Sequence, residues 1–183
     1  MNKPAYPALD LSLATTTPLE HRPSKVTHAM LADPANYSAD GASIDTLIPS
    51  VLKGADLTAV ADAWASAIQR DRAVILGMGA HPIKVGLSRL IVDLIERGYI
   101  NGLAGTGAVA LHDWEMAIHG HTSEEVKDGL PEGRFGMASD TAVAYWKAVE
   151  FAQRENYGLG QAVGCLLSIA PDNVGPSILA TCY

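Results

Sequence analysis

The 183-residue chain is 48% hydrophobic and 18% charged, which excludes a disordered or fibrous polypeptide and leaves room for one domain with a real core. Its formal net charge of −7 argues against a nucleic-acid partner, whose phosphates demand a basic face. No apolar run reaches the ~18 residues that would span a bilayer, so no membrane partner is expected. Residues 1–10 carry Pro4 and Pro7 and no apolar signal core, and Cys165 and Cys182 lack metal or redox spacing. Both cysteines read as small buried thiols of a reducing compartment, and the protein reads as cytoplasmic.

Pro4, Pro7, Pro18, Pro23 and Pro34 punctuate the start of the chain. Residues 1–42 are therefore expected as an extended or loosely ordered arm, and residues 43–183 as the folded domain. Ile44, Leu47, Ile48, Val51 and Leu52 fall at helical spacing, a short helix weakened by Pro49. Asp56 is then expected to cap a second helix with Leu57, Val60, Ala61, Trp64, Ala65 and Ile68 along one stripe.

Ala73-Val74-Ile75-Leu76 is a continuous apolar run without alternation, as expected of a parallel strand buried on both faces. Gly77-Met78-Gly79 ends it, and a helix follows with Ile83, Leu87, Leu90, Ile91, Leu94 and Ile95 on one face and Gly98 as its stop. Residues 100–104 give a second parallel strand, and Gly105-Thr106-Gly107 turns into another helix. This cadence predicts an α/β fold, a Rossmann-like doubly wound parallel sheet preceded by a helical N-terminal segment. Beyond it the pattern is helical. Thr122-Ser123-Glu124-Glu125 reads as a capping box, Gly129, Pro131 and Gly133 close a short helix, and residues 141–156 and 159–169 form longer ones. Ser177 opens a last helix that runs into Tyr183 without a stop signal. A doubly wound domain usually has about five or six strands, so the sheet is expected to be incomplete at the C-terminal end.

A glycine turn between a strand and a helix lets the backbone approach a phosphate, and the free N–H groups of the helix start favour negative charge. Neither turn is a clean dinucleotide fingerprint. Pro82 stands where the first would need glycine, and the second fits G-x-G-x-x-A but follows the second strand. Each loop read alone is more simply a structural turn; the tandem at one carboxyl edge brings a nucleotide site level with that reading. His81 and Lys84 lie on either side of Pro82, where Lys84 could pair with a phosphate or merely lie along the surface. His112, Asp113, Glu115, His119 and His121 cluster on the next helix, with His112, Glu115 and His119 sharing a face. The absence of an H-E-x-x-H motif makes a solvated helix face the simpler reading than a metal site. His112 and Asp113 follow the second glycine loop by a helical turn and could face what it holds.

Residues 77–87 (Gly-Met-Gly-Ala-His-Pro-Ile-Lys-Val-Gly-Leu), the Gly-Ala-Val-Ala-Leu-His-Asp-Trp-Glu core within residues 101–120, Thr122-Ser123-Glu124-Glu125-Val126 and Gly133-Arg134-Phe135-Gly136-Met137 together resemble the deoxyhypusine synthase family and its bacterial and archaeal relatives, over residues 44–183. The resemblance implies NAD as cofactor, held at the carboxyl edge of the sheet between subunits of a homotetramer. It implies Gly77, Gly79, Ala80, His81 and Lys84 as the lining from the first loop. From the second loop it implies Thr106, Gly107 and Ala108, with His112 and Asp113 nearby. Eukaryotic members have Ser-Asn in place of Ala80-His81 and paired glutamates in place of His112-Asp113, departures that match the bacterial-type branch. The implied reaction dehydrogenates spermidine with NAD and passes its aminobutyl group through an enzyme lysine to a protein lysine acceptor. The family's nucleophilic lysine lies downstream of the position matched by Tyr183, so no catalytic residue is nominated. The alternative is a non-catalytic module that holds a nucleotide or an oligomer partner.

Overall fold

The computed structural model describes residues 47–123, 126–129, 131, 136, 138–171 and 175–183. The chain divides into two units, Met1–Ala63 and Trp64–Tyr183. In the first unit Leu47 ends a 3-10 turn and residues 48–52 are bends, turn and irregular chain, so the expected first helix does not continue through them. Proline at position 49 lacks the N–H that a continuous helix would need there. The carbonyl of Pro49 also occupies the space that a Cβ on Gly54 would fill. Helix α1 (Lys53–Gln69) starts before Asp56, which sits in its first turn and pairs with Lys53. Its expected apolar stripe is not buried: Leu57 and Val60 are both exposed.

In the second unit, β1 (Ile75–Met78) and β2 (Gly102–Gly105) pair in parallel, with Ile75 opposite Gly102 and Met78 opposite Gly105. Asn101 sets this register from just outside β2. Its backbone N–H donates to the Val74 carbonyl at 2.9 Å, and its side-chain oxygen accepts from the Val74 N–H at 2.9 Å. Trp64, near the end of α1, donates its indole N–H to the Tyr99 carbonyl at 2.7 Å. Between the strands the expected single helix is broken into α2 (His81–Lys84) and α3 (Ser88–Glu96). Gly86 sits at φ 84° in the break, a conformation that glycine adopts without steric cost. Gly98, at φ 72°, follows the end of α3 as expected.

The doubly wound sheet is not present; these two strands are the whole sheet among the described residues. Nor is β1 buried on both faces: its residues alternate between exposed and half-buried, and Ile75 is 70% exposed. The physical reason lies downstream. After β2 the described chain forms only helices, α4 (Gly107–His119), α5 (Val126–Gly129), α6 (Ser139–Glu155), α7 (Leu159–Ser168) and α8 (Ile178–Cys182). A β–loop–α unit fixes local geometry, but the width of a sheet depends on further strands, and the apolar positions here repeat at helical spacing.

The core forms as two clusters. Ala110, Ala117, Ala148, Val163, Leu167 and Leu179 join α4, α6, α7 and α8. Ile83, Ile91, Ile100, Val109 and Ile178 join α2, α3, α4 and α8 to the entry of β2. Helix α8 thus sends adjacent residues, Ile178 and Leu179, into different clusters. The close crossing of α7 and α8 requires Gly164, because a Cβ there would run into the Leu179 carbonyl oxygen and press on Tyr183 Cβ at 3.2 Å.

Candidate functional site

Gly77 and Met78 belong to β1 and Gly105 to β2, not to turns as expected, and the pairing of Met78 with Gly105 brings the two strand ends with Gly79 and Thr106 side by side. Gly77, Gly79, Thr106, Gly107 and Ala108 are all exposed along this edge, as are His81 and Lys84 just beyond β1. Ala80 is instead buried as the residue that enters α2. Lys84 makes no ion pair among the described residues, so its ammonium remains available to an anion.

Helix α4 begins directly from the second turn. Thr106 is its N-cap residue at φ −78° and ψ 165°, but its hydroxyl makes no capping hydrogen bond. Of the first amides of α4, that of Val109 donates to the Thr106 carbonyl at 2.9 Å, and those of Gly107 and Ala108 have no side-chain cap. Helix α7 starts nearby in the same manner: its N-cap residue is Gly158, which has no side chain to offer. A pocket of about 130 Å³ lies between these two helix starts, lined by Leu103, Thr106 and Gly107 on one side and Leu159 and Gly160 on the other, with Leu179 completing its wall. Ligand pockets commonly enclose about 300–1,000 Å³, so this volume suits a phosphate-sized group and not a whole dinucleotide.

The glycines here divide by physical role. Gly105 is packed tightly, because a Cβ would stand 3.0 Å from Val109 Cγ2 in the first turn of α4 and that side chain would have to give. Gly107 is tight but not closed, with the Tyr145 hydroxyl 3.4 Å from where a Cβ would stand. Tyr145 is a residue that sequence reasoning missed. It lies on α6, remote in sequence, and only the packing of α6 on α4 carries its hydroxyl to the loop. Gly77 and Gly79 are different again. A Cβ on either would meet nothing within 4 Å, and neither has a positive φ. Nothing within the described residues explains glycine at these two positions, and glycine inside a strand costs about 0.5–1 kcal/mol relative to alanine.

The polar residues that follow the second loop turn inward to structural partners. Asp113 is 0% exposed. Its carboxylate accepts from Ser177 Oγ at 2.6 Å, from the Ile178 N–H at 3.0 Å and from the Leu179 N–H at 3.0 Å. Ser177 Oγ in turn accepts from the Ala180 N–H at 3.0 Å. Asp113 and Ser177 together satisfy the orphan amides at the start of α8 and fix that helix to α4. His112 Nδ1 lies 2.6 Å from Thr122 Oγ1 and 3.3 Å from Glu115 Oε2. Glu115 also accepts from Thr122 and, at 2.9 Å, from Thr141 on α6. This half-buried cluster ties α4 to α6 and to the segment after α4. Thr122 belongs to this cluster, and Glu124 and Glu125 of the expected capping box lie outside the described residues. Gly133, Arg134, Phe135 and Met137 also lie outside the described residues.

His119 and His121 place their rings 6.1 Å apart at a tilt, and no metal-binding grouping of His, Cys, Asp or Glu occurs among the described residues. The expectation of two buried cysteines holds for Cys165 alone; Cys182 is exposed at the end of α8. Partial burial of its thiol, and secondarily the Asp113 carboxylate, push that thiol above the ordinary cysteine range. Hydrogen bonds to Cys165 and Tyr157 push the Tyr183 phenol up to about 12. No helix among the described residues is long and apolar enough to cross a membrane. Comparison with known proteins gives no match to a family model, to a curated protein or to a solved structure.

Proposed function

We propose that the chain binds an anionic nucleotide, NAD in the first instance, at the carboxyl ends of β1 and β2. The observation that carries this reading is the pair Gly77 and Gly79, glycines that neither backbone dihedral nor packing requires. Close approach of a ligand to the backbone is the remaining physical use for glycine at the end of a strand. Gly77 and Gly79 would admit the ligand. The open amides at the start of α4 and the Thr106 hydroxyl would donate to its phosphate oxygens, and Lys84 would add charge. When bound, NAD supplies a hydride acceptor. By the resemblance to deoxyhypusine synthases, that acceptor would serve aminobutyl transfer from spermidine to a protein lysine in an oligomeric assembly.

The test is calorimetric titration of the full chain with NAD, beside Gly79→Ala and Gly79→Asp. Both substitutions point into open space, so thermal melts should match the parent. The parent should bind in the micromolar range, Gly79→Ala should weaken binding, and Gly79→Asp should abolish it through charge repulsion. A parent that melts cooperatively yet binds no NAD would sink the proposal, as would a Gly79→Asp variant that binds like the parent. Label transfer from spermidine to a lysine would then separate enzyme from binding module.

A further inference from the structure

Tyr145 stands within α6, and its ring packs against the core cluster that joins α4, α6, α7 and α8. Trp114, Ala148 and Val163 lie beside it. The apolar body of the side chain is thus held by packing, and its polar tip extends to another helix. The hydroxyl lies 3.4 Å from the point where a Cβ on Gly107 would stand, and no other residue outside the first turns of α4 comes within 4 Å of that point.

A tyrosine hydroxyl that leaves water usually finds a hydrogen-bond partner. This one has none among the described residues. It is not sealed in the core either, since Ser88 Oγ is the one buried side-chain oxygen or nitrogen left unpaired among those residues. Around the hydroxyl stand the Gly107 and Ala108 amides and the Thr106 hydroxyl, none of them joined by a side-chain cap. Each can donate a hydrogen bond. Glu115, further along α4, keeps its carboxylate on Thr122 and Thr141. Gly107 also lines the phosphate-sized pocket between the starts of α4 and α7. Free amides begin most helices and by themselves select nothing, but a phenol brought from a different helix adds a donor with a fixed direction.

We propose, resting on the nucleotide reading above, that Tyr145 is a ligand-contacting residue of that site, its hydroxyl donating to a phosphate oxygen seated over the first turn of α4. The Gly107 amide and the Thr106 hydroxyl donate to the same phosphate from the loop side. Glycine at position 107 keeps the space between amide and phenol clear for that oxygen, because the Cβ of any other residue would stand in it. The site therefore draws on three helices, with α4 and α7 supplying the pocket and α6 supplying the phenol.

The experiment is calorimetric titration of the full chain and of Tyr145→Phe with NAD, beside thermal melts of both. Phenylalanine keeps the ring in its packing and removes only the oxygen, so the melts should coincide. Losing a hydrogen bond to a charged oxygen should weaken NAD binding about tenfold. At saturation the ³¹P resonances of bound NAD should differ between the two proteins, a change that a purely structural tyrosine would not produce. A parent that binds NAD and a Tyr145→Phe variant that binds it equally well would overturn the phenol contact and leave the nucleotide site standing. Coincident ³¹P resonances would do the same. A Tyr145→Phe variant that melts earlier than the parent would show the hydroxyl already serving the fold, which also overturns the contact. A folded parent that binds no NAD would overturn the nucleotide reading and this contact with it.

Discussion

Asp113→Ala tests the mainstay of the helical core. The carboxylate is buried and accepts three hydrogen bonds, two from backbone amides at the start of α8 and one from Ser177 Oγ. Alanine would orphan all three donors, and a buried donor left unsatisfied costs about 1–3 kcal/mol. Water entering the vacated space recovers part of that sum, which places the loss at about 4 kcal/mol, within the range for removing one side of a buried charged network. Ser177→Ala removes only an N-cap hydroxyl and one partner of the carboxylate, so it should cost about 1 kcal/mol. Asp113→Asn keeps one acceptor oxygen but turns an amide N–H₂ toward a donor, and should cost about 2–3 kcal/mol. Urea unfolding followed by tryptophan fluorescence gives the stabilities, with Trp114 on the same helix as reporter. Amide exchange at Ile178 and Leu179 gives the local effect, expected to accelerate by about 10³-fold in Asp113→Ala. A loss below 1 kcal/mol for Asp113→Ala, or unchanged exchange at those amides, would refute the reasoning that this carboxylate holds α8 in place.

Two further predictions concern the same corner of the fold. Gly164→Ala drives a methyl group into the Leu179 carbonyl, which cannot yield without moving α8, so it should destabilise by about 1–3 kcal/mol by thermal or urea melt. A neutral effect would mean that α7 and α8 do not cross this closely. The Cys182 thiol is raised by burial and by Asp113, so at a given pH less of it is thiolate than in an unperturbed cysteine. Its alkylation by iodoacetamide should therefore rise with pH along a curve displaced to higher pH than that of the urea-unfolded chain. A curve at or below the unfolded one would contradict the burial of the thiol. Cys165, which is buried, should react only as the chain unfolds.

Local pattern carried much of the secondary structure. The strand–glycine–helix cadence found both strands about two residues early, since β1 runs on through Gly77 and Met78 and β2 through Gly105, residues expected as turns, and the helical spacing found α6 and α7 to within two residues at either end. Ser177 was legible as the start of α8 because a short polar side chain before an apolar run is a capping signal. The break at Gly86 was hidden, because apolar residues on both sides kept helical spacing across it. Of the residues assigned to the candidate site, Gly77, Gly79, Thr106, Gly107 and Ala108 do share one exposed edge. Spacing along a helix placed Asp113 one turn from the loop, but it could not say which way the carboxylate turns.

Sequence by itself located both strands and most of the helices, since helical and strand periodicities and glycine stops are properties of a few neighbouring residues. It also determined where the glycines at the ends of the two strands stand in the chain. Only the tertiary structure decided that the sheet has two strands among the described residues, that Asp113 serves α8, and that the Tyr145 hydroxyl reaches Gly107. These are contacts between residues far apart in the chain, such as Asp113 and Ser177, and their geometry follows from how helices pack on one another and not from any local run of residues.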